Sequence, residues 1–264
     1  MCLLMLAWRT HPRYRLVVAA NRDEFHERPA APLAPWPPAG EPLAGRDLRA
    51  GGTWLALDRA RRFGVVTNFR ELQPPRAGSP SRGNLIPQFL AGTHGAGEFF
   101  AALAPQAAGY SGFNLLLADS DSLWYGSNRA APFARALNAG VYGLSNELLD
   151  TPWPKLVRVR RGFEAWLGKP AAQSAASLFD LLLDRTQSAG DGGLHASGLP
   201  RELAPLLSAP FVVHPSYGTR CSTVLLLHND GGLYIAERRF DARGESVGET
   251  EFRLNAREWP GNAT

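Results

Sequence analysis

The chain has 264 residues, of which 45% are hydrophobic and 20% are charged, and its formal net charge is +4. This length and balance are typical of a globular protein with a large core, so we expect a single domain over residues 1–264 that needs no metal or disulfide. The excess positive charge comes from arginine, because the chain has only two lysines, Lys155 and Lys169. The arginines are scattered and accompany no nucleic-acid motif. That pattern favours an Arg-rich codon composition over a nucleic-acid partner or a membrane surface, and leaves an anionic small molecule as a further explanation.

Cysteine and histidine usage excludes several classes of site. Cys2 and Cys221 are too few for a disulfide framework, and the six histidines show no metal-ligand spacing, so we expect no metal. The apolar opening, residues 1–8, is too short for a signal peptide or a membrane span. We therefore expect a cytoplasmic protein without membrane insertion.

The first half of the chain is rich in predicted strands. Short apolar, β-rich runs predict strands at 2–8, 14–20, 54–57 and 63–67. Residues 21–24 are expected to end the second strand. The Pro- and Gly-rich stretch 25–50 is predicted to be an ordered loop without regular structure.

The middle and the second half alternate helices with strands. Apolar spacing predicts helices at 83–91, 96–104, 153–167 and 175–185. Further strands are predicted at 113–118, 123–126, 141–144, 211–213, 221–227, 233–238 and near 251–254. Short turns join most consecutive strands, which predicts antiparallel sheets and an α+β fold.

Cys2 is the residue with the sharpest chemical potential. Removal of Met1, which a small second residue permits, would leave a thiol and a free α-amine on one residue. An α-amine has an ordinary pKa of about 7.7–8 and can act as a local base, while a thiolate is a competent nucleophile. The position predicts an N-terminal nucleophile, and the structural alternative is a small apolar residue that begins an edge strand.

A polar cluster, Asn21-Arg22-Asp23-Glu24, follows the apolar second strand. Functional groups often gather where strands end. Arg22 beside Asp23 could polarise a thiol or hold a substrate carboxylate. The alternative is a solvated turn with a local ion pair.

Two asparagines and one arginine also lie at the ends of predicted strands. Asn68 and Asn146 each follow an apolar run, where an amide could donate to a developing oxyanion. Asparagine at such positions is also common in turns. Arg220 could fix an anionic substrate or orient a carboxylate, or it could be a surface arginine on an edge strand.

A glycine pair precedes the third predicted strand. In Gly51-Gly52-Thr53-Trp54, the missing Cβ atoms could let the backbone approach a ligand closely. A simple turn from loop to strand is the alternative.

Six motifs in one order resemble a known family. They are Met1-Cys2, Asn21-Arg22-Asp23-Glu24, Gly51-Gly52-Thr53-Trp54, Thr67-Asn68-Phe69-Arg70, Ser81-Arg82-Gly83 and Gly143-Leu144-Ser145-Asn146. Their combination resembles the NRDE-domain family, whose animal members are called transport and Golgi organisation proteins. The resemblance covers most of the chain.

The resemblance implies a fold and an activity. The family is similar to a divergent branch of the N-terminal nucleophile (Ntn) hydrolases, which have an αββα sandwich of two antiparallel sheets flanked by helices. The nearer similarity is to cysteine amidohydrolases that cleave bile-salt conjugates and penicillin V. No cofactor is implied.

By this similarity six residues correspond to catalytic positions: Cys2, Arg22, Asp23, Asn68, Asn146 and Arg220. Cys2 would be the nucleophile, with Arg22 and Asp23 orienting the thiol and the amine. The two asparagines would serve as oxyanion and substrate-positioning amides, and Arg220 as the arginine beneath the site. The adjacency of Arg22 and Asp23 departs from those enzymes, in which the two residues are separated.

The remaining motif residues are expected to contact the ligand: Asn21, Glu24, Gly52, Thr53 and Trp54. The first hypothesis is hydrolysis of a linear amide in a small amphipathic or anionic substrate. The alternative is binding and transport of haem, a lipid or an acyl-CoA in the same groove, with Trp36 and Trp54 as apolar walls. A scaffold without a ligand would leave the polar cluster unexplained.

Overall fold

The computed structural model describes residues 3–37, 42–71, 78–169, 174–188 and 204–260. Apart from the residues outside these ranges, the chain forms two compact units. The first comprises Met1–Glu27, Arg70–Leu72 and Ala139–Arg253, and the second comprises Arg28–Phe69, Gln73–Asn138 and Leu254–Thr264. Each unit is assembled from three stretches of chain, so neither corresponds to one continuous segment.

The described ranges contain strands and helices in both units. The strands are β1 Leu3–Trp8, β2 Tyr14–Phe25, β3 Ala30–Pro35, β4 Leu43–Asp47, β5 Leu55–Leu57, β6 Phe63–Asn68, β7 Phe113–Ala118, β8 Leu123–Ser127, β9 Ala134–Leu137, β10 Gly140–Leu144, β11 Tyr217–His228, β12 Leu233–Phe240 and β13 Ser246–Leu254. The helices are α1 Leu85–Ala91, α2 Ala96–Leu103, α3 Pro154–Leu167, α4 Ala175–Leu182 and α5 Ala204–Leu207, with 3₁₀ turns at Arg82–Asn84 and Ala104–Gly109.

The sheet of the first unit has the strand order β10-β1-β2-β11-β12-β13. The pairs from β10 to β12 are antiparallel. Alternate residues of a strand point to opposite faces, so Leu3, Met5 and Val17 share one face. That face packs on α3 and α4 through Phe163 and Phe179. The apolar stripe of the two helices and the alternate residues of the strands therefore build one core.

The sheet of the second unit has the order β3-β4-β5-β6-β7-β8-β9, and its neighbouring strands are antiparallel. Helices α1 and α2 supply Ile86, Phe89 and Phe100 to a second core, which includes Leu115 and Leu117 of β7. The predicted α+β architecture of two antiparallel sheets with flanking helices is confirmed.

Three predictions of local structure are wrong, and the third, the early end of the second strand, is described with the site below. The stretch 25–50 contains β3 and β4 instead of a loop without regular structure. The prolines of β3 are tolerated because this strand forms the edge of its sheet, where a missing N–H removes no bond to a further strand. Residues 211–213 form no strand, and their backbone is held by individual bonds, such as the Phe211 N–H to the Asp184 carbonyl at 2.9 Å.

Candidate functional site

The tetrapeptide Asn21–Glu24 lies inside β2, which corrects the prediction that it ends the strand. Pairing with β11 continues as far as Phe25, opposite Tyr217. The polar side chains are accommodated because β11 offers hydroxyl groups beside them. Ser222 Oγ donates to Asn21 Oδ1 at 2.6 Å, and Asn21 Nδ2 donates to the carbonyl oxygens of Leu182 and Pro210. Asn21 therefore connects the sheet to the last residue of α4 and to the segment that follows α5.

The Asp23 side chain is buried and only partly hydrogen-bonded to described residues. It is 3% exposed, and its Oδ1 accepts a 2.7 Å hydrogen bond from Thr219 Oγ1. Thr219 Oγ1 in turn accepts the N–H of Val212 at 2.9 Å. The other carboxyl oxygen, Oδ2, is buried and has no hydrogen-bond partner in the part of the chain that the structure describes. A buried carboxyl oxygen without a donor is rare and indicates a missing partner.

Arg22 projects from the opposite face of the sheet, since neighbouring residues of a strand alternate. Its guanidinium lies 3.9 Å from the carboxylate of Glu24, which is a long ion pair. Across the sheet Arg22 pairs with Cys221. The adjacent residues Arg22 and Asp23 thus serve different faces.

Cys221 has an unreactive thiol. Burial, and after it the negative charge of Glu237, raise the pKa of this thiol well above its ordinary value, although Arg22 acts in the opposite direction. A buried thiol with a raised pKa is a poor nucleophile. Of the two cysteines, Cys221 is therefore unsuited to covalent catalysis.

Arg220 is the extra residue of a bulge, because the register between β2 and β11 shifts between Thr219 and Cys221. Its Nη1 donates to the carbonyl oxygens of Phe25 and His26 at 2.9 and 3.2 Å. Burial lowers the pKa of this guanidinium, and the nearby positive charge of Arg22 lowers it further. The structure brings Asn21, Arg22, Asp23, Glu24 and Arg220 together on the β2–β11 pair.

Asn146 lies in the loop after β10 and is mostly buried. Asp150 holds this loop, because its Oδ1 accepts the Gly143 N–H at 2.8 Å and its own N–H donates to the Gly143 carbonyl. Arg160 donates to the same carboxylate at 2.7 Å. The backbone around Asn146 is therefore fixed at both ends.

A pocket of about 290 Å³ opens in the first unit, and we refer to it as the Phe25 pocket. Its apolar lining consists of Phe25, Leu206, Leu207, Val212 and Tyr217. The rings of Phe25 and Tyr217 meet edge to face with centroids 5.2 Å apart.

The polar lining of the Phe25 pocket comes from Arg70, Glu71, Asn146, His214 and Ser216. The Arg70 N–H donates to the Asn146 carbonyl at 2.7 Å, which joins two motif segments at the pocket wall. The pocket thus combines an apolar wall with an amide and charges of both signs.

Asn68, Gly52, Thr53 and Trp54 lie in the second unit. Asn68 is the exposed last residue of β6. Thr53 and Trp54 are buried, and the Thr53 N–H donates to the Gly83 carbonyl at 3.0 Å. A Cβ on Gly52 would overlap the Gly83 carbonyl group. Here the glycine permits the approach of another segment of the chain.

Cys2 lies outside the described residues. Sequence reasoning did not identify the residues that partner Asp23 and shape the pocket, above all Thr219 and Val212. The only signal in the sequence was the hydroxyl residues near Arg220, with Thr219 directly before it. Glu237 was also missed, although a single acidic residue in the apolar run of β12 was a visible clue.

The helices and side-chain clusters in the described part of the chain also bear on two other kinds of site, a membrane span and a metal centre. None of these helices is long and apolar enough to cross a membrane. Within the same ranges no three His, Cys, Asp or Glu side chains are grouped to hold a metal ion.

Known proteins resemble this chain over nearly its whole length. The family model described as transport and Golgi organisation 2 matches residues 1–242. The transport and Golgi organization protein 2 homologs of Bos taurus and Homo sapiens are 35% and 33% identical, each over 97% of this chain and 100% of the relative. The Drosophila melanogaster protein is 26% identical over 93% of this chain and 95% of its own.

A solved structure is similar to this chain at a low level. The Caenorhabditis elegans N-acylethanolamine-hydrolyzing acid amidase ortholog is 10% identical, with a TM-score of 0.41 over 85% of this chain and 92% of that chain.

The molecule is an α+β protein with two antiparallel sheets and a buried polar cluster on the central strands of one of them. The chain belongs to the transport and Golgi organisation 2 family, which confirms the resemblance seen in its motifs.

Proposed function

We propose that this protein is an N-terminal-cysteine amidohydrolase that cleaves a linear amide in a small amphipathic or anionic substrate. The observation that carries the proposal is the buried Oδ2 atom of Asp23, which lacks a donor among the described residues. Burying a carboxyl oxygen without a hydrogen bond is costly, so this geometry favours a functional partner.

The α-amine of Cys2 is the proposed partner. Leu3 pairs with Asn21 at the start of β1, and Asp23 is two residues further along β2. Residue 2 is joined to Leu3 by one peptide bond, which limits its Cα to about 3.8 Å from that of Leu3. We assign the Asp23 carboxylate to the α-amine that removal of Met1 would leave, and Arg22, on the other face, to the thiol or to substrate.

The proposed reaction has two acyl-transfer steps. The α-amine takes the thiol proton, and the thiolate of Cys2 attacks the amide carbonyl carbon. The oxyanion accepts a hydrogen bond from the Asn146 amide. When the C–N bond breaks, the α-ammonium returns its proton to the departing amine, leaving a thioester.

Hydrolysis then regenerates the enzyme. The α-amine takes a proton from water, and the resulting hydroxide attacks the thioester carbonyl carbon. The C–S bond breaks, the carboxylic acid leaves, and the thiolate recovers the proton from the α-ammonium. Arg220 holds the end of β2 beneath these groups. The role of Asn68 as an oxyanion or substrate-positioning amide stays a prediction, since Asn68 lies in the second unit.

The test compares the two cysteines on a panel of N-acyl-7-amino-4-methylcoumarin amides. Cys2→Ala should lower kcat/KM on the order of 1,000-fold or more, since the nucleophile is lost. Cys221→Ser is the matched control and should keep turnover within about threefold, because its thiol is buried and unreactive. Mass spectrometry should show mature protein without Met1 and an acyl adduct on Cys2. Quantitative retention of Met1 would remove the base and overturn the mechanism.

The Phe25 pocket also favours a second candidate, namely carriage of an amphipathic anion without turnover. It combines apolar walls with the guanidinium of Arg70, although Glu71 adds the opposite charge, and it lies near the lower end of the volumes of small-molecule sites, about 300–1,000 Å³. Titration with haemin and with palmitoyl-CoA should then saturate and weaken on His214→Ala or Arg70→Ala. Non-saturable binding that ignores both substitutions would exclude a specific carrier.

The hydrolase role needs a reduced thiol, and the carrier role needs a small-molecule ligand. Neither role needs a resident cofactor. We place the protein in the cytoplasm, where thiols are kept reduced.

A further inference from the structure

We infer that the six-stranded sheet ends in an acid-sensitive contact, in which protonation of His11 separates two hairpin turns and α3 while the rest of the sheet stays folded. The first turn joins β1 to β2, and the second joins β11 to β12. We refer to the following residues as the turn clasp: His11, Arg13, Tyr14, Trp166 and Asn229. The inference does not rest on the proposed function, since Cys2 precedes β1 and the turn clasp begins after the end of β1.

The first argument is a hydrogen bond that only an unprotonated ring nitrogen can accept. His11 is 7% exposed, and its Nδ1 atom accepts the Arg13 backbone N–H at 3.1 Å. A backbone N–H can only donate, so Nδ1 must offer a lone pair in this arrangement. The imidazolium ion carries protons on both ring nitrogens and has no lone pair to offer. Protonation of His11 therefore breaks this hydrogen bond.

The second argument is the aromatic surroundings of the imidazole. The His11 ring centroid lies 4.8 Å from that of Tyr14 and 6.2 Å from that of Trp166, and the last two are 6.0 Å apart. Tyr14 and Trp166 belong to the core that joins the sheet to α3. Keeping a charged ring buried in this position would cost free energy, because the ion would lose its water. The charged form of His11 therefore favours an arrangement in which the turn has moved away from α3.

The third argument is the charge already present around His11. In the same turn, the Arg13 guanidinium carbon lies 5.2 Å from the centroid of the Tyr14 ring, and Arg13 donates to Tyr14 Oη at 3.3 Å. At the end of β11, His228 meets Tyr14 edge to face at 4.7 Å, whereas α3 contributes the uncharged Trp166. Burial, and after it the positive charge of Arg13, lower the pKa of His11 below the ordinary 6.5.

The contact between the two turns can open locally. The Asn229 N–H donates to the Arg13 carbonyl at 3.0 Å, and Asn229 Nδ2 donates to the Pro12 carbonyl at 2.7 Å. Pro12, Arg13 and Asn229 are exposed, so water can replace these bonds when the first turn moves. Beyond the turns, β2 stays paired with β1 and β11 over the apolar core.

The lowered pKa fixes the direction of the effect. The turn clasp binds a proton on His11 less readily than an open turn does, so its stability is fully present above about pH 6.5. This stability is lost as the pH falls below 6.5 towards the lowered value. With a pKa of about 6.5 in the open state, the opening equilibrium should rise by up to about tenfold between pH 7.5 and pH 5.5.

The experiment measures amide hydrogen exchange by NMR in the full chain at pH 7.5, 6.5 and 5.5, with each rate divided by that of an unstructured chain at the same pH. The ratio for the Arg13 and Asn229 amides should rise about five- to tenfold on acidification. The amide of Val224, in the buried middle of β11, should keep its protection. An equal rise at Val224 would show global unfolding and would overturn a local clasp.

Three variants identify the titrating group. In His11→Asn, Oδ1 can accept the Arg13 N–H but does not titrate, so the clasp should open more at every pH, because the ring contacts are lost, but to the same extent. His94→Asn is the matched control, since His94 is exposed on the surface, and it should keep the parental response. His228→Asn should also keep that response. A response lost in His228→Asn and retained in His11→Asn would overturn the assignment to His11.

A direct titration keeps the inference testable if His11→Asn does not fold. The ring C–H signals of His11 in the parent protein should titrate with a pKa below 6.5. A pKa at or above 6.5, or exchange at Arg13 and Asn229 that ignores pH in the parent, would overturn the acid-sensitive contact. Neither measurement depends on Cys2 or on turnover, so the proposed hydrolase can fail while this inference stands.

Discussion

The two units differ in how they use buried polar side chains. In the second unit, Asn114 accepts a hydrogen bond from Tyr125 Oη at 2.8 Å and donates to Thr67 Oγ1 at 3.3 Å. Asp119, which is half-buried, accepts hydrogen bonds from the N–H groups of Ala96 and Ser122 at 2.8 and 2.7 Å. Polar groups of this kind close their hydrogen bonds locally and fix the packing around them.

In the first unit, by contrast, Asp23 keeps one carboxyl oxygen buried and without a donor among the described residues. Asp23 thus departs from the rule that buried polar atoms are hydrogen-bonded, and it belongs to a motif that the sequence singles out. Such departures tend to occur where function requires them. In the proposed hydrolase, β2 is the strand that carries the chemistry, whereas the hydrogen-bonded side chains of Asn114 and Asp119 build structure in the second unit.

The largest expected effect comes from Asp23→Asn. The amide keeps an oxygen for the Thr219 hydroxyl but loses the charge that would hold the α-amine of Cys2. We expect kcat/KM for the acyl-aminomethylcoumarin amides to fall about 100-fold or more, with the free energy of unfolding within about 1 kcal/mol of the parent. Turnover and urea denaturation of the same preparation measure both quantities. Unchanged turnover, or a loss of activity that merely follows unfolding, would remove Asp23 from the site.

Gly52→Ala should have a smaller effect, and it tests whether the motif Gly51-Gly52-Thr53-Trp54 of the second unit has a structural role. On Gly52→Ala, the new Cβ would meet the backbone of Gly83, so we expect a loss of about 2–3 kcal/mol in the free energy of unfolding. Gly51→Ala is the matched control. It faces open space, but its φ of +76° is strained for alanine, which costs about 1 kcal/mol. Urea denaturation curves measure both, and an equal or smaller loss at Gly52 would contradict the close-packing role.

The elements were predictable wherever apolar periodicity and short turns coincide. β7 has the predicted bounds, and α2 and α3 differ from the predicted ranges by one residue. β3 was missed because its prolines are typical of a loop, and only the sheet order reveals that it is an edge strand. The end of β2 was placed too early because polarity was interpreted as a strand end.

The candidate site was predictable as a set of residue types but not as an arrangement. Asn21–Glu24 were found from the motif, yet their division between two faces follows from the strand that contains them. The partners of Asp23 are separated from it by almost the whole chain, since Thr219 lies 196 residues away. Contacts of this range depend on the order of the strands, which local patterns do not encode.

The smallest expected effect comes from Asp119→Asn, which makes in the second unit the same change as Asp23→Asn makes in the first. Burial alone would raise the pKa of Asp119, but hydrogen bonds from the N–H groups of Ala96, Asp121 and Ser122 outweigh it and hold the pKa below the ordinary 3.8. This carboxylate therefore stabilises the folded state fully above about pH 4, and the contribution is lost as the pH falls through the lowered value. Asp119→Asn should cost about 1 kcal/mol at pH 7, because an amide has one acceptor oxygen, so either the Ala96 N–H at the start of α2 or the N–H groups of Asp121 and Ser122 lose their acceptor.

The pH dependence separates this role from that of Asp23. The penalty of Asp119→Asn should shrink below about pH 4, where the parent carboxylate becomes protonated, and catalytic turnover at pH 7 should stay near the parental value. Asp121→Asn is the control, since this exposed side chain accepts only the Ser120 hydroxyl among its hydrogen bonds to described residues. Chemical denaturation at pH 7 and pH 3 measures the difference. The same penalty at both values would show that Asp119 acts through its shape and not through its charge. In that case the contrast with Asp23 would rest on turnover alone.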